Sequence, residues 1–170
     1  MLAIVAVNAV GGIHQDFAPG SLILPDQIID YTYGRKHTFF EDDTESVTHI
    51  DFSHPYSEQL THLLTEAAEN ANIPIFNFGT YACTQGPRLE TAAEIRRLKN
   101  DGCDVVGMTA MPEAGLAREL EIEYASINIV ANWAAGLSED SISMDEIEKV
   151  VGKAIDKVKR IIDQFICLKS

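Results

Sequence analysis

Apolar and polar positions along this chain follow two periods, and the switches between them mark its elements. Leu2 to Val7 is a continuous apolar run, partly β-branched, that ends at Asn8-Ala9-Val10-Gly11-Gly12. Such a run closed by paired glycines predicts a central strand feeding a turn. Leu22 to Leu24 and Gln27 to Tyr31 are shorter extended pieces around Pro25. Ser57 to Asn70 places Leu60, Leu63, Leu64, Ala67 and Ala68 on one face, the spacing of an amphipathic helix. Further strands are predicted at Ile75 to Tyr81, Asp104 to Met108 and Tyr124 to Val130, with helices at Thr91 to Lys99 and Ala114 to Leu120. Asn100-Asp101-Gly102 stops the first of these helices, and Pro112 sits where proline favours a first helical turn. The last helix opens on an S-x-x-E capping box, Ser143 and Glu146. Behind it Ile147, Val150, Val151, Ala154, Val158, Ile161, Ile162 and Phe165 keep helical spacing.

Strands alternating with helices predict an α/β fold, and 170 residues predict one domain, 1–170, with a real core. Thr32 to Tyr56 shows little periodicity and carries Phe39, Phe40 and the acidic cluster Glu41, Asp42 and Asp43. A loop of that length is expected to serve function or an interface.

Charge narrows the possible partners. Lys and Arg number 13 against 26 Asp and Glu, a formal net charge of -13, and no basic run interrupts it. Nucleic acid is therefore excluded as a partner. A small anion is not, because backbone N–H groups and local cations bind phosphate whatever the global field. Cys83, Cys103 and Cys167 are odd in number without CxxC spacing, which predicts reduced thiols and a cytoplasmic protein. Leu2 to Val7 is too short for a membrane span, so no membrane partner is expected. No spacing suggests a metal site, and His14, His37, His54 and His62 read as solvated or structural residues.

Candidate chemistry concentrates at two successive strand-to-helix junctions. Gly79 to Arg96 joins a strand, a Gly-Pro break and a helix start, with Glu90 expected in the first helical turn. Val105 to Glu113 repeats the arrangement through Met108 and Thr109. Loops at strand ends are where α/β proteins bind ligands, and two in succession predict one shared pocket. Taken singly, Glu90 suits a helix N-terminus, Thr109 a helix cap and Asn132 a turn. Met108 would then be core, and Met144 a first-turn residue.

These segments together resemble the trimeric purine nucleoside phosphorylase and methylthioadenosine phosphorylase family. The blocks that carry the resemblance are Asn8 to Gly12, Val47 to Phe52, Gln85-Gly86-Pro87-Arg88-Leu89-Glu90-Thr91, Gly107-Met108-Thr109-Ala110-Met111-Pro112-Glu113 and Asn132. The resemblance implies a three-layer αβα fold around a central mixed sheet. It implies phosphorolysis of a purine nucleoside with inorganic phosphate as co-substrate and no cofactor. It places the Ala9 N–H and the Thr109 hydroxyl on phosphate, Met108 against the ribose, and Glu90 and Asn132 on the purine. Leu89 stands where relatives commonly carry Phe against the base, keeping an apolar wall. His49 would reach a neighbouring subunit's ligand, which implies a homotrimer with sites at its interfaces. Met144 falls near the 5' end of the sugar, where a thioether suits a methylthio group.

Base choice follows from chemistry at the two purine contacts. A 6-oxopurine has a hydrogen on N1 that an ionised Glu90 can accept; adenine offers a lone pair there instead. Asn132 can donate to O6 and accept from a protonated N7, which an ionised Asp could not do. The expected substrate is a 6-oxopurine nucleoside with a 5'-methylthio group, as in S-methyl-5'-thioinosine. Inosine, guanosine or methylthioadenosine are the alternatives, and a non-catalytic nucleoside-binding remnant is a reading of a different class. The family's N-terminal phosphate-binding turn and its Arg-His element have no counterpart here, so the chain is expected to be truncated at the N-terminus. Gly34-Arg35-Lys36-His37 does not stand in for them.

Overall fold

The computed structural model describes residues 2–40, 48–138 and 142–169; the acidic cluster Glu41-Asp42-Asp43 and Val47 lie outside them. Strands β1 (Ala3–Gly12), β2 (Leu22–Ile23) and β3 (Gln27–Asp30) come first, then α1 (Glu58–Asn70), β4 (Thr80–Cys83) and α2 (Ala92–Asn100). They are followed by β5 (Val105–Gly107), α3 (Ala110–Glu119), β6 (Glu123–Trp133) and α4 (Met144–Lys169). The strands form one sheet in the order β2-β6-β1-β5-β4-β3. It is mixed: β1 runs parallel to β6 but antiparallel to β5, while β5, β4 and β3 are mutually parallel.

Strand alternation sends side chains to two faces, and each face finds its own helices. Ala125, Ile127 and Ile129 of β6 pack with Leu60, Leu64, Ala67 and Ala68 of α1 and Ala154, Val158 and Ile161 of α4. Tyr124, on the opposite face, packs with Ala114 and Ala117 of α3. In β4, Ala82 meets Ile95 and Leu98 of α2, whereas Tyr81 and Cys83 face Ala110. Helices thus cover both faces, giving the expected αβα layering. Leu64 is fully buried, and its truncation to Ala is worth about 2–5 kcal/mol at such a site.

Several boundaries differ from the sequence-based expectation for physical reasons. The strand expected at Ile75 to Tyr81 is instead Thr80–Cys83, because Phe76 makes a single isolated bridge to Ile23 and Gly79 turns the chain at φ +135°. β6 extends three residues past Val130 to Trp133, carried by its pairing with Gly11 and Gly12. α3 begins at Ala110, but Met111 is extended (φ -118°, ψ 139°), so its regular part starts at Pro112. A residue before proline is driven out of the helical region by the ring. The Ser143 carbonyl accepts from the Ile147 N–H at 3.1 Å, as an N-cap carbonyl does.

Glycine chemistry generates opposite predictions at two positions. A Cβ on Gly107 would lie 2.1 Å from the Tyr81 hydroxyl oxygen, so Gly107→Ala should destabilise by about 1–3 kcal/mol in urea unfolding. Gly152, inside α4, has open space around its Cα. Gly152→Ala should stabilise by about 0.5–1 kcal/mol through helix propensity alone.

Candidate functional site

The loop from β4 to α2 is closed by its own side chains. The Thr84 hydroxyl donates to Glu90 Oε1 at 2.7 Å, bridging six residues. The Thr84 N–H donates to the Gly107 carbonyl at 2.8 Å and so ties this loop to β5. Glu90 is not in the first helical turn as expected. Thr91 is the N-cap of α2, and Glu90 precedes it, so the carboxylate is set by Thr84 and not by the helix. The capping work belongs to Glu94, which accepts from the Thr91 N–H at 2.7 Å while its own N–H donates to Thr91 Oγ1 at 3.2 Å. Arg88 adds two bonds of 2.8 Å to the Glu94 carboxylate. Arg88 first, and the Thr91 amide second, hold Glu94 well below the usual carboxylate range, at about 2.

Beside this loop lies a cavity of about 270 Å³ lined by Tyr31, Tyr33, Thr84, Gln85, Glu90 and Leu98 among others. Met108, Thr109 and Asn132 are not among its walls. Leu89 is exposed at 44%, pointing an apolar side chain outward next to Glu90. A larger groove, about 1010 Å³, runs along His54, Tyr56, Arg118 and Tyr124, and none of the expected site residues lines it.

The second junction meets the first across β1. β5 pairs with β1 at Gly11 and Gly12; beyond that, this edge of β1 has no ladder partner among the described residues. Ile13 donates its N–H to the Asp104 carbonyl at 2.8 Å, while the Gly12 carbonyl accepts from Ala134 of the β6 side. Alternation along the strand therefore carries the Ala9 N–H to the open β5 side. Thr109 lies there too: its hydroxyl donates to Asn8 Oδ1 at 3.0 Å. As the N-cap of α3 it makes no side-chain capping bond, so its hydroxyl is committed to the sheet and not to the helix.

Asn8 is itself oriented from below. Its Nδ2 donates to Asn128 Oδ1 at 3.1 Å, and the fully buried Asn128 donates to Ser126 Oγ at 3.0 Å. Tyr81, also buried, brings its hydroxyl within 3.4 Å of Thr109 Oγ1 and of the Thr109 N–H. Burial pushes the Tyr81 phenol up, so it is neutral near pH 7. Met108 packs against Gly86, where a Cβ would lie 2.4 Å from Met108 Sδ. The two loops are in contact at this point.

Asn132 stands in register with Gly11, and its Nδ2 donates to the Trp133 carbonyl at 2.7 Å. The segment just after it returns to the first loop: a Cβ on Gly136 would lie 2.5 Å from Cβ of Ala92, two residues past Glu90. Met144 is 62% exposed at the start of α4, and His49 is exposed as well. The structure thus joins Thr109 with Asn8 beside Ala9, and Met108 with the Glu90 loop. Among the described residues, no hydrogen bond joins His49 or Met144 to that group. Asn8, Thr84 and Tyr81 were missed in the sequence because an asparagine in a strand or a threonine in a loop carries no periodic signal. Among the described residues no group of three or more His, Cys, Asp or Glu side chains is placed to hold a metal ion. No described helix is long and apolar enough to cross a membrane.

A family model described as "Phosphorylase superfamily" matches residues 1–167. The protein named "Probable S-methyl-5'-thioinosine phosphorylase" from Pseudomonas syringae pv. tomato is 58% identical over 157 residues, covering 92% of this chain and 64% of that protein. The "6-oxopurine nucleoside phosphorylase" of Pyrococcus furiosus is 43% identical over 164 residues, covering 94% of this chain and 62% of that protein. The solved structure of methylthioadenosine phosphorylase from Schistosoma mansoni in complex with adenine superposes with a TM-score of 0.93 at 30% identity, covering 98% of this chain and 65% of that one. The chain spans less than two thirds of the length of these relatives.

The ionic cap gives a pH prediction. Glu94 is held at about 2 in the folded chain against roughly 4.3 when unfolded, so its contribution is full above the unfolded value and is lost as pH falls through about 2. Glu94→Gln keeps a capping-box side chain but no charge. It should lower stability at pH 7 and lose most of that deficit at pH 2, measured by urea midpoints at both pH values. An equal deficit at both would reject the ionic account.

Proposed function

This chain belongs to the phosphorylase superfamily, and from that premise we propose that it serves phosphorolysis of a 6-oxopurine nucleoside, S-methyl-5'-thioinosine by preference. The relatives bearing that name and the name 6-oxopurine nucleoside phosphorylase support the reading. In the proposed reaction a phosphate oxygen forms a bond to C1' of the sugar as the C1'–N9 bond breaks. The bonding pair leaves on the purine, which takes up a proton to become hypoxanthine. The other product is 5-methylthioribose 1-phosphate.

The observation that supports this reading is that the segments carrying a carboxylate, Glu90, and an amide, Asn132, meet through Ala92 and Gly136. Thr84 occupies Glu90 Oε1 and leaves Oε2 to accept the N1 hydrogen of a 6-oxopurine. Asn132 exchanges its bond to the Trp133 carbonyl for O6 and N7 of the leaving base. An oxocarbenium-like sugar gains from the anion beside it, and the base gains from donors aimed where its charge develops. Leu89 forms an apolar wall for the ring, Met108 packs on the ribose, and Met144 receives the methylthio group.

At the phosphate end the Ala9 N–H and the Thr109 hydroxyl bind the anion. Thr109 turns its hydrogen from Asn8 Oδ1 toward phosphate, a rotation that costs one neutral hydrogen bond and gains a charge-assisted one. His49 reaches the ligand of a neighbouring subunit in a homotrimer. The setting is cytoplasmic purine salvage.

Calorimetry with free bases tests the base-recognition step. Hypoxanthine should bind more tightly than adenine by a factor of about 5–150, the equivalent of one unmatched buried polar group at about 1–3 kcal/mol. Asn132→Asp should shrink or reverse that ratio. Tighter binding of adenine by the parent chain would reject the reading, as would phosphorolysis confined to methylthioadenosine when the nucleosides are compared.

A further inference from the structure

We infer that Arg35 is a positioning residue that couples the purine end of the site to its phosphate end; the inference rests on the site reading just given. Arg35 follows β3 and is half-buried. Its Nη1 donates to the Met108 carbonyl at 2.8 Å and to the Met111 carbonyl. Its Nη2 donates to the Gln85 carbonyl at 3.0 Å and the Thr84 carbonyl at 3.3 Å. One side chain therefore holds carbonyls from both ligand loops.

Strand pairing joins these loops only as far as Cys83 and Gly107. Past that pair the Met108 side chain packs on Gly86, and the Met111 N–H donates to Cys83 Sγ at 3.2 Å. The guanidinium adds bonds to four carbonyls across the same junction. It is planar and rigid, with donors in a fixed fork. A displacement of either loop must then move the other or break charge-assisted bonds. The carbonyls it grips are well chosen for transmission. Thr84 is the residue whose hydroxyl sets Glu90, and Met108 and Met111 bracket Thr109. The segment carrying Arg35 is fastened to the first loop independently, by the Tyr31 N–H to the Cys83 carbonyl at 2.8 Å and the Tyr33 N–H to Gln85 Oε1 at 3.1 Å. An anion that pulls Thr109 into place thus also sets the carboxylate that reads the purine, and each ligand favours the binding of the other.

Two readouts test this on the intact chain and on Arg35→Gln and Arg35→Lys. The first is hypoxanthine calorimetry with and without saturating inorganic phosphate. In the parent chain phosphate should tighten hypoxanthine by a coupling factor of about 5–150; both variants should bring that factor close to one. Lysine keeps the charge but concentrates its donors on one nitrogen, so recovery of coupling by Arg35→Lys would overturn the geometric role, as would unchanged coupling in Arg35→Gln. The second readout is amide hydrogen exchange at Thr84, Thr109 and Met111. These should quicken together in both variants, with α1 and α4 unaffected. Quickening in one loop alone, or throughout the chain, overturns the proposal. If the parent chain binds no purine, the functional reading fails, and the exchange pattern alone decides for or against the tie.

Discussion

The antiparallel seam between β1 and β5 is the constraint on which the rest of the molecule depends. Its neighbours on either side are parallel pairs, so this one reversal decides which residues of β1 meet the end of β5. Small residues close it. A Cβ on Gly12 would lie 2.5 Å from the Phe17 carbonyl oxygen, one on Gly11 would lie 3.1 Å from Val106 Cγ1, and one on Gly107 would displace the Tyr81 ring. With Gly11 free of a side chain β1 fits against Val106, and with Gly107 free the Tyr81 hydroxyl fits beside β5. The chain beyond Gly107 runs back along β1 to bring Thr109 to Asn8. Any slip in that register would separate the hydroxyl from the amide and both from the Ala9 N–H.

Beneath the seam, the polar side chains form a chain of hydrogen bonds in a part of the sheet that is otherwise apolar. Asn128 and Ser126 are buried polar residues, and each is satisfied by the next. Leaving one unpaired would cost about 1–3 kcal/mol; paired, they fix the orientation of the amide of Asn8. Neutral donors suit the proposed anion in this chain. A net charge of -13 repels phosphate at long range, and N–H and O–H groups hold it at short range without demanding a local excess of cations. Arg35, whose guanidinium reaches carbonyls of both loops, spends its donors on the backbone, and Arg88 spends its donors on Glu94, which leaves the proposed anion to the amide and hydroxyl.

Much of this was legible from residue pattern. The order of strands and helices, the amphipathic faces of α1 and α4, and the helical turn opening at Pro112 all follow from spacing that local forces enforce. Apolar character alone misled at Ile75 to Phe78, where side chains pack near the core but the backbone finds only one bridge. Glu90 looked like a helix residue because the capping pair Thr91 and Glu94 begins one position later. The partnership of Thr109 with Asn8 joins residues more than a hundred positions apart, and the grip of Arg35 reaches across two loops. Neither leaves a periodic trace in the sequence, since both arise from how the sheet is ordered and not from any local preference. The resemblance to phosphorylases pointed to the two loops, and the fold explains why they adjoin.

The central claim, that the seam assembles one anion site from β1 and the end of β5, is tested most directly by titrating inorganic phosphate into isotope-labelled chain and following backbone amides by NMR. The account predicts that Ala9 and Thr109 shift together along one saturation curve. Shifts at only one of the two, or saturation at different phosphate concentrations, would contradict it.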